Sequence, residues 1–307
     1  MKTLRESLLD DDLIGKTDKM IKDEIKAFLK ENFIGVSSCK ISRKPNSDGK
    51  YEVSSTKNIE VKNYNIISLT NGMFIWTIID GNFRFSGCPS LKSLEGAPKE
   101  VDGDFDCSYC DSLNSLEGAP KEVGDDFDCS YCKSLKSLEG APEKVEGNFS
   151  CISCRSLKSL EGAPKKVGRN FNCSMCTSLT SLEGTPEKIS GNFYCDGCDS
   201  LTSLEGAPKE IGGNFICHIC RSLTSLKGGP KKVGGNFNCM QCRSLTSLEG
   251  APEKVGGYFE CRFCKSEFTA FRRERNAGRN PPRMQGIPRL YRARRRSCAA
   301  GRCQVFL

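Results

Sequence analysis

Two cysteines separated by two residues recur every 22 residues over most of this chain. Around each pair the repeated unit reads V-x-G-x-F-x-C-x-x-C-x-S-L-x-S-L-E-G-A-P-K-x. The first cysteines of the eight pairs are Cys107, Cys129, Cys151, Cys173, Cys195, Cys217, Cys239 and Cys261. A fixed period in the twenties indicates stacked supersecondary units that bury their cores against one another. We therefore expect a mainly β chain folded as a parallel β-solenoid.

The repeat extends beyond the eight complete cysteine pairs. In an earlier copy Phe85 replaces the first cysteine, and the apolar residues are Phe83, Phe85, Cys88, Leu91 and Leu94. A still earlier, degenerate copy runs through Val61, Tyr64, Ile66 and Leu69, with Tyr64 at the position of the second cysteine. We count about ten rungs, where a rung is one turn of the solenoid, and expect a core about 45 Å long at about 4.8 Å per rung.

The apolar positions of one unit predict its path. Phe171 and Cys173 alternate as one face of a short strand. The next apolar residues are three apart, which suits a chain that turns and keeps returning side chains to the interior. Gly184 and Pro186 then supply residues that end the unit. The expected interior is a set of ladders formed by the equivalents of Val167, Phe171, Cys173, Cys176, Leu179 and Leu182.

This spacing resembles the leucine-rich repeat, LxxLxLxxN/CxxL, over roughly residues 57–271. Phe and the first cysteine stand at the strand leucines, and the second cysteine stands at that family's Asn or Cys ladder. The resemblance implies a solenoid of leucine-rich-repeat type whose variable strand face binds partners. The sequence pattern "SLxSLEGAPKxVGGNFxC", together with the N-terminal segment "MKTLRESLLDD", is also similar to repeat proteins predicted in tailed bacteriophages of gut bacteria. That second resemblance implies an origin and supplies no activity.

The domain plan places caps at both ends of the repeats. Residues 1–35 are expected to form a helical cap, with Thr17 as N-cap of a helix over 17–31 and a short helix over 3–9 before it. The apolar face of the longer helix is Ile21, Ile25, Phe28 and Leu29. Residues 36–80 are read as a β-rich capping segment with the degenerate first rung, 81–271 as the solenoid, and 272–307 as an irregular, Arg-rich tail. The alternative for the N-terminal elements is a separate docking module.

The net charge of +8 is concentrated at one end of the chain. Residues 1–264 carry 34 Lys+Arg against 36 Asp+Glu, whereas residues 265–307 carry 12 against 2. Any nucleic-acid interaction therefore belongs to the tail. Three interpretations of the tail stay open: a basic segment that contacts nucleic acid or acidic protein, a solubilising end, or a lost reading frame that begins near Cys264, where Phe268 and Phe271 imitate the repeat leucines.

The cysteine pairs have two interpretations. The spacing CxxC-x18-CxxC lies in the range of zinc ribbons, and the first candidate ligand set is Cys107, Cys110, Cys129 and Cys132. However, the first cysteine keeps strand register with Phe, and free cysteine packs as a small hydrophobe. We expect buried thiol ladders, with the second thiol donating to a turn carbonyl, and neither metal nor another cofactor. Disulfides are disfavoured by in-register geometry and by a reducing compartment.

Comparison of the units with one another shows which positions vary. The residue between Phe and the first cysteine, the two residues between the cysteines and the residue after them change from rung to rung. The pattern places these positions outward, and they include residue types that anchor protein interfaces. The candidate partner-binding residues are Tyr109, Tyr131, Met175, Tyr194, Ile216, Ile219, Met240 and Phe263. The alternative is drift on a surface without a partner.

These patterns favour a non-enzymatic scaffold that binds protein; the runner-up is a zinc-thiolate protein that contacts nucleic acid through its tail. His218 is the single histidine, expected on the surface, which leaves Cys/His catalysis with one candidate base. The acidic pairs around Asp104 and Asp126 are read as a solvated patch rather than a Ca²⁺ site. No membrane span is expected, since the longest uncharged apolar run, "MFIWTII", is too short. Without an apolar leader we expect a cytoplasmic protein, in a host cell or a virion if phage-encoded.

Overall fold

The computed structural model describes residues 17–264. The predicted helix over 3–9, Phe268, Phe271 and the segment 272–307 lie outside these residues. The N-terminal part consists of α1 (Asp18–Asn32), β1 (Phe33–Ile34), a 3-10 helix (Val36–Ser38), β2 (Cys39–Ile41), β3 (Tyr51–Ser55), β4 (Ile59–Val61) and β5 (Phe74–Ile79).

From Phe83 onward the rungs contribute two kinds of strand, each two residues long. The first begins with the repeated phenylalanine: β6 (Phe83–Arg84), β8 (Phe105–Asp106), β10 (Phe127–Asp128), β12 (Phe149–Ser150), β14 (Phe171–Asn172), β16 (Phe193–Tyr194), β18 (Phe215–Ile216), β20 (Phe237–Asn238) and β22 (Phe259–Glu260). The second ends with the repeated valine or isoleucine: β7 (Glu100–Val101), β9 (Glu122–Val123), β11 (Lys144–Val145), β13 (Lys166–Val167), β15 (Lys188–Ile189), β17 (Glu210–Ile211), β19 (Lys232–Val233) and β21 (Lys254–Val255).

These strands stack into a parallel β-solenoid of about ten rungs, which confirms the predicted fold class. The first sheet has eleven strands in the order β1-β4-β6-β8-β10-β12-β14-β16-β18-β20-β22. On another side, the second sheet has the order β13-β11-β9-β7-β5-β3-β2, and the third has β15-β17-β19-β21. The pairs are parallel except β1 with β4 and β2 with β3 at the N-terminal end. Phenylalanine pairs with phenylalanine 22 residues later, as Phe127 does with Phe149.

The interior consists of the predicted ladders. The phenylalanine rings from Phe83 to Phe259 stack with centroid separations of 5.0–6.0 Å. The cysteines from Cys88 to Cys242 and the leucines from Leu91 to Leu245 are buried beside them. Phe85 lies at the first-cysteine position, because the register aligns Phe83 with Phe105. A repeated sequence thus places identical side chains in contact, which builds the core from local packing between neighbouring rungs.

Helix α1 closes the N-terminal end of this core, as the cap interpretation predicted. Thr17 is the N-cap, and its side chain accepts a hydrogen bond from the Met20 amide. Ile25 and Leu29 are buried in the core, while Phe28 and Ile21 pack against it half-buried. The ring of Phe28 meets Phe74 edge-on at 5.9 Å. The helix therefore covers apolar surface that the first rung would otherwise expose to water.

The degenerate first rung differs from the sequence interpretation at one residue. Ile59 pairs with Phe83, so Ile59 takes the phenylalanine position and Val61 takes the first-cysteine position. Ile66 and Leu69 are buried as expected, but Tyr64 is 56 % exposed. Tyr64 was therefore wrongly assigned to the second-cysteine column. A phenol at that position would need a buried partner for its hydroxyl, and the chain places the ring outside the core instead.

A column of side-chain amides and carboxylates runs along the solenoid immediately before the phenylalanines. The Oδ1 atom of Asn170 accepts from the backbone N–H of Asn192, and the Oδ1 atom of Asn192 accepts from the N–H of Asn214, each at 2.7 Å. The same contact joins successive rungs at Asn58, Asn82, Asp104, Asp126, Asn148, Asn170, Asn192, Asn214 and Asn236. It supplies a partner to a backbone donor at each bend between the two strands of a rung.

Candidate functional site

The two residues between the cysteines form a tight turn at the end of each first-sheet strand. The second of them has a left-handed backbone, with φ between 57° and 63° in every complete repeat. This column of left-handed residues, called here the turn column, is Tyr109, Tyr131, Ser153, Met175, Gly197, Ile219, Gln241 and Phe263. In the incomplete copy the same position is held by Gly87, with φ 72°.

The cysteines on either side impose this conformation. Both thiols point into the core, so the chain must reverse within two residues, and a left-handed second residue achieves that reversal. The turns also stack on one another: the N–H of Tyr109 donates to the carbonyl of Ser130 at 2.8 Å, and that of Tyr131 donates to the carbonyl of Ile152 at 2.7 Å. Side chains of the turn column therefore lie at rung spacing on a rigid backbone.

The structure divides the eight predicted partner-binding residues into two groups. Five of them belong to the turn column and are exposed, by 38–69 %: Tyr109, Tyr131, Met175, Ile219 and Phe263. The other three are half-buried, namely Tyr194 and Ile216 on the first-sheet strands and Met240 at the first turn position. All eight lie on the first-sheet strands or in the turns that follow them, and the five residues of the turn column are the more exposed.

Side chains of the turn column contact one another along the solenoid axis. The rings of Tyr109 and Tyr131 are stacked, with centroids 4.4 Å apart and planes 5° from parallel. The thioether of Met175 lies across Gly197, where a Cβ atom would stand 2.5 Å from Met175 Sδ. At five of the eight positions in the turn column, the chain therefore carries a large exposed side chain where glycine would fit the same backbone angle.

Replacing Ile219 with glycine is expected to raise the free energy of unfolding by about 0.5–1 kcal/mol. A left-handed conformation costs an L-residue about 1–2 kcal/mol, more than the entropy that glycine adds to the unfolded chain. Ile219 has φ 57° and is 41 % exposed, so little burial is lost. Urea unfolding checks this, with Ile216→Gly in the adjacent strand β18 as the control, which is expected to destabilise. A destabilised Ile219→Gly chain would show that the side chain supports the fold.

The first complete rungs carry most of the carboxylates on this face. Asp104 pairs with Arg84 at 2.7 Å, Asp125 with Arg169 at 3.3 Å and Asp111 with Lys133 at 2.8 Å. Carboxylate oxygens of Asp104, Asp125 and Asp126 lie within 4.8 Å of one another. These contacts bring the predicted acidic residues together, and cations from other rungs neutralise part of their charge.

Two further aspartates of this patch lie on strands β8 and β10. Asp106 accepts hydrogen bonds from the N–H and hydroxyl of Ser108, and Asp128 accepts from the N–H of Ser130. Burial raises the pKa of the Asp128 carboxyl, the bonds from Ser130 lower it, and the charges of Asp106 and Asp126 add to the rise. Repulsion between like charges on adjacent rungs is therefore only partly relieved within the patch.

His218 is half-buried rather than on the surface as the sequence suggested. Its backbone N–H donates to Asp196 Oδ1 at 3.0 Å, and its imidazole Nδ1 lies 3.4 Å from the same oxygen. The Ser174 hydroxyl donates to Asp196 Oδ2 at 3.1 Å. Burial raises the pKa of Asp196, while these donors and the charge of His218 lower it. The aspartate thus links three consecutive rungs at the first turn position.

The two cysteine columns are free thiols, buried in the core except for the half-buried Cys261 and Cys264 at the last rung. In each complete repeat the second thiol donates to the backbone carbonyl at the first-cysteine position of the preceding rung, with Sγ–O distances of 3.1–3.6 Å. Cys176, for example, donates to Cys151 at 3.1 Å. Burial strongly raises the pKa of the Cys107, Cys129 and Cys173 thiols. These thiols satisfy carbonyls that face the core, which is the ladder role that the sequence assigned to the second cysteine.

The alternative zinc ligands do not converge in the structure. No three of Cys107, Cys110, Cys129 and Cys132 bring their sulfur atoms to within 4.8 Å of one another, as the ligands of a tetrahedral zinc ion would be. Instead the Cys132 thiol donates to the Cys107 carbonyl at 3.2 Å. The stacking of rungs likewise places the sulfur atoms of Cys110 and Cys129 against the backbone carbonyls of Phe85 and Ser150.

Thiol reactivity in the native chain is expected to follow position along the solenoid. Fifteen of the described cysteines are buried, whereas Cys39, Cys261 and Cys264 are half-buried. Since a buried thiol reacts only after local opening, we expect these three to be alkylated at least about 100-fold faster than the fifteen. Peptide mass spectrometry after timed alkylation measures this, with denatured protein as the control. Uniform fast labelling of Cys129 to Cys220 would contradict a closed core.

Sequence reasoning missed two features of this region. The asparagine column was not assigned a role, although the repeated Asn or Asp before most of the phenylalanines was its signal. The left-handed turn position was also missed, although Gly87 and Gly197 occupy it. The asparagine contact forms only when successive rungs stack on one another, and the left-handed angle arises only when both thiols point into the core.

The described residues contain no helix of the length and apolarity needed to cross a bilayer. Comparison of the chain with protein-family models, with curated proteins and with solved structures gave no match.

Proposed function

We propose that this protein is a non-enzymatic, leucine-rich-repeat-like scaffold that binds a protein partner through the turn column and the adjacent first-sheet strands. The observation that carries the proposal is the placement of Tyr109, Tyr131, Met175, Ile219 and Phe263. Each is exposed to solvent, and each has a positive φ. Glycine is compatible with the same position at Gly87 and Gly197.

Energetics support a role outside the fold for these side chains. A left-handed backbone disfavours a residue with a Cβ atom, and exposed apolar area is not buried on folding. The chain therefore retains large side chains where they contribute little to stability. Tyrosine, methionine and phenylalanine are the types that anchor protein interfaces, where their burial recovers free energy on binding.

The dimensions of the face suit a protein partner. From Tyr109 to Phe263 the turn column spans seven rung steps, about 34 Å at 4.8 Å per rung. A standard protein interface covers about 800 Å² on each partner, which a strip of this length and three residues in width provides. Because the turns are joined by backbone hydrogen bonds, little entropy is lost when the face binds.

The leucine-rich-repeat type and the compartment belong to the same proposal. The second cysteine donates to the carbonyl of the preceding rung, which supports its assignment to the ladder position of that family. The buried free thiols favour a reducing compartment such as the cytoplasm of a host cell. The resemblance to phage repeat proteins stays a suggestion of origin.

Glycine substitutions test the proposal without weakening the fold. A tagged Met175→Gly/Ile219→Gly chain is expected to lose a partner that the unchanged chain captures from its native cells. The purified partner is then expected to bind this variant about 30-fold or more weakly, which is the effect of removing a single strong anchor. The control is Lys166→Gln/Lys232→Gln on the opposite sheets, which should bind normally.

Two results would overturn the proposal. One is a partner whose affinity is the same for the glycine variant and the unchanged chain while the control variant loses it. The other is a capture experiment in which the unchanged chain retains no protein that the glycine variant lacks. Unfolding curves for all three chains establish that differences in binding are not differences in folding.

A further inference from the structure

The N-terminal part of the first-sheet side combines carboxylates with an aromatic stack. Asp106, Asp126 and Asp128 have no cationic partner among residues 17–264, whereas Asp104, Asp111 and Asp125 each have one. Tyr109 and Tyr131 stack beside them, 54 % and 38 % exposed. We call Asp106, Tyr109, Asp126, Asp128 and Tyr131 the acidic tyrosine face.

This combination suits a planar cation. A guanidinium group stacks on the face of an aromatic ring and at the same time donates to carboxylates in its plane. Ser153 follows Tyr131 in the turn column, so the next rung places only a short side chain beside the outer side of the stack. Further along, the residue after the second cysteine is in turn Arg155, Thr177, Asp199, Arg221 and Arg243, so three of five positions carry a cation that repels an incoming one. A polycation is therefore directed to the first rungs.

The chain itself supplies a matching segment. Residues 272–307 contain eleven arginines, no lysine and a single acidic residue, Glu274. The described chain ends at Cys264, six rungs from Cys132, or about 29 Å at 4.8 Å per rung. Residues 265–307 span more than that distance when extended at about 3.3 Å per residue. Attachment to the same molecule also gives the segment an effective concentration of the order of millimolar.

We propose that the Arg-rich segment 272–307 docks on the acidic tyrosine face of the same molecule. The guanidinium groups of the arginines stack on the rings of Tyr109 and Tyr131 and neutralise Asp106, Asp126 and Asp128. This inference does not rest on the proposed partner, whose test uses Met175 and Ile219 in later rungs. Its consequence is that the acidic tyrosine face competes with any external polyanion for the basic segment, because the same arginines cannot bind both.

Trypsin tests the docking on the full chain, since it cleaves after arginine. At low salt, cleavage within 272–307 is expected to be about tenfold faster in Asp106→Asn/Asp126→Asn/Asp128→Asn than in the unchanged chain. Asparagine already occupies the equivalent positions at Asn172, Asn148 and Asn238, so the variant should keep the fold. Salt at about 0.5 M should remove the difference, because it screens the docked charges. A second variant, Tyr109→Ser/Tyr131→Ser, is expected to accelerate cleavage less, about threefold.

The control variant, Glu95→Gln/Glu100→Gln/Glu117→Gln, removes the same charge from exposed positions away from the acidic tyrosine face. It is expected to be cleaved like the unchanged chain. Equal cleavage of the unchanged chain and the aspartate variant at low salt would overturn the proposal, as would equal acceleration by the control. Protection that disappears on dilution, together with the mass of a dimer by light scattering, would assign the docked segment to a second copy and also overturn it.

Discussion

Replacing Phe171 with alanine is expected to lower the free energy of unfolding by about 3–5 kcal/mol. Phe171 is fully buried in β14, in the middle of the solenoid. Its ring contacts Phe149 at 5.0 Å and Phe193 at 5.4 Å. Alanine would remove both stacking contacts and leave a cavity that short, hydrogen-bonded rungs cannot collapse to fill.

The repeat architecture makes this effect larger than the loss of one side chain from a single rung. Each rung contacts only its neighbours, so a cavity at Phe171 weakens the interfaces on both sides. The N-terminal and C-terminal rungs then become less strongly coupled, and the unfolding transition should broaden. A lower m-value in urea, alongside the lower midpoint, is the expected sign.

Phe171→Leu is the matched control for this prediction. Leucine keeps most of the buried volume, so we expect a loss of about 1–2 kcal/mol, less than half that of alanine. Both variants are compared with the unchanged chain in the same urea titration, followed by circular dichroism. A Phe171→Ala chain that loses less than about 1 kcal/mol would show that the phenylalanine stack is not the main core.

Replacing Gly184 with alanine is expected to lower the free energy of unfolding by about 2–5 kcal/mol. Gly184 has φ +97°, and an added Cβ atom would lie 2.2 Å from the Leu160 carbonyl oxygen and 2.4 Å from its carbon. The backbone angle costs about 1–2 kcal/mol, and the clash costs about 1–3 kcal/mol because backbone cannot move aside like a flexible side chain. The substitution would force two rungs apart.

Gly49→Ala separates these two causes. Gly49 also has a positive φ, +74°, but an added Cβ atom meets nothing within 4 Å. This control is expected to lose only about 1 kcal/mol, from the backbone angle alone. Thermal unfolding of both variants measures the difference. Equal losses would mean that Gly184 is needed for its backbone conformation and not for the close approach of rungs.

Much of the fold was predictable because the repeated spacing places the same residue types in contact on every rung. The period of 22 residues indicated the rung, and Phe83 through Phe259 indicated which side chains stack. The cap was predictable at α1 because Thr17 and the apolar spacing of Ile25 and Leu29 are local signals. The error at Tyr64 arose in the degenerate rung, where the spacing alone did not reveal that the ring leaves the core.

The candidate site was predictable only in outline. Variation among the units indicated an outward column, and the structure places Tyr109, Tyr131, Met175, Ile219 and Phe263 there, exposed. Variation among the units did not indicate that Tyr194, Ile216 and Met240 are half-buried. A two-residue strand between bends is partly covered by its neighbours, and this depends on how the rungs stack. The positive φ of the turn column escaped prediction, since tyrosine and isoleucine are not residues that signal such an angle.

The sequence by itself determined the rung length, the identity of the ladders and the role of the cysteines as core residues, because each depends on a spacing repeated along the chain. Only the tertiary structure decided how rungs meet: the second and third sheets, the asparagine contacts, the close approach at Gly184 and the stack of Tyr109 on Tyr131. These features depend on distances between residues about 22 positions apart, which are set when one rung packs on the next.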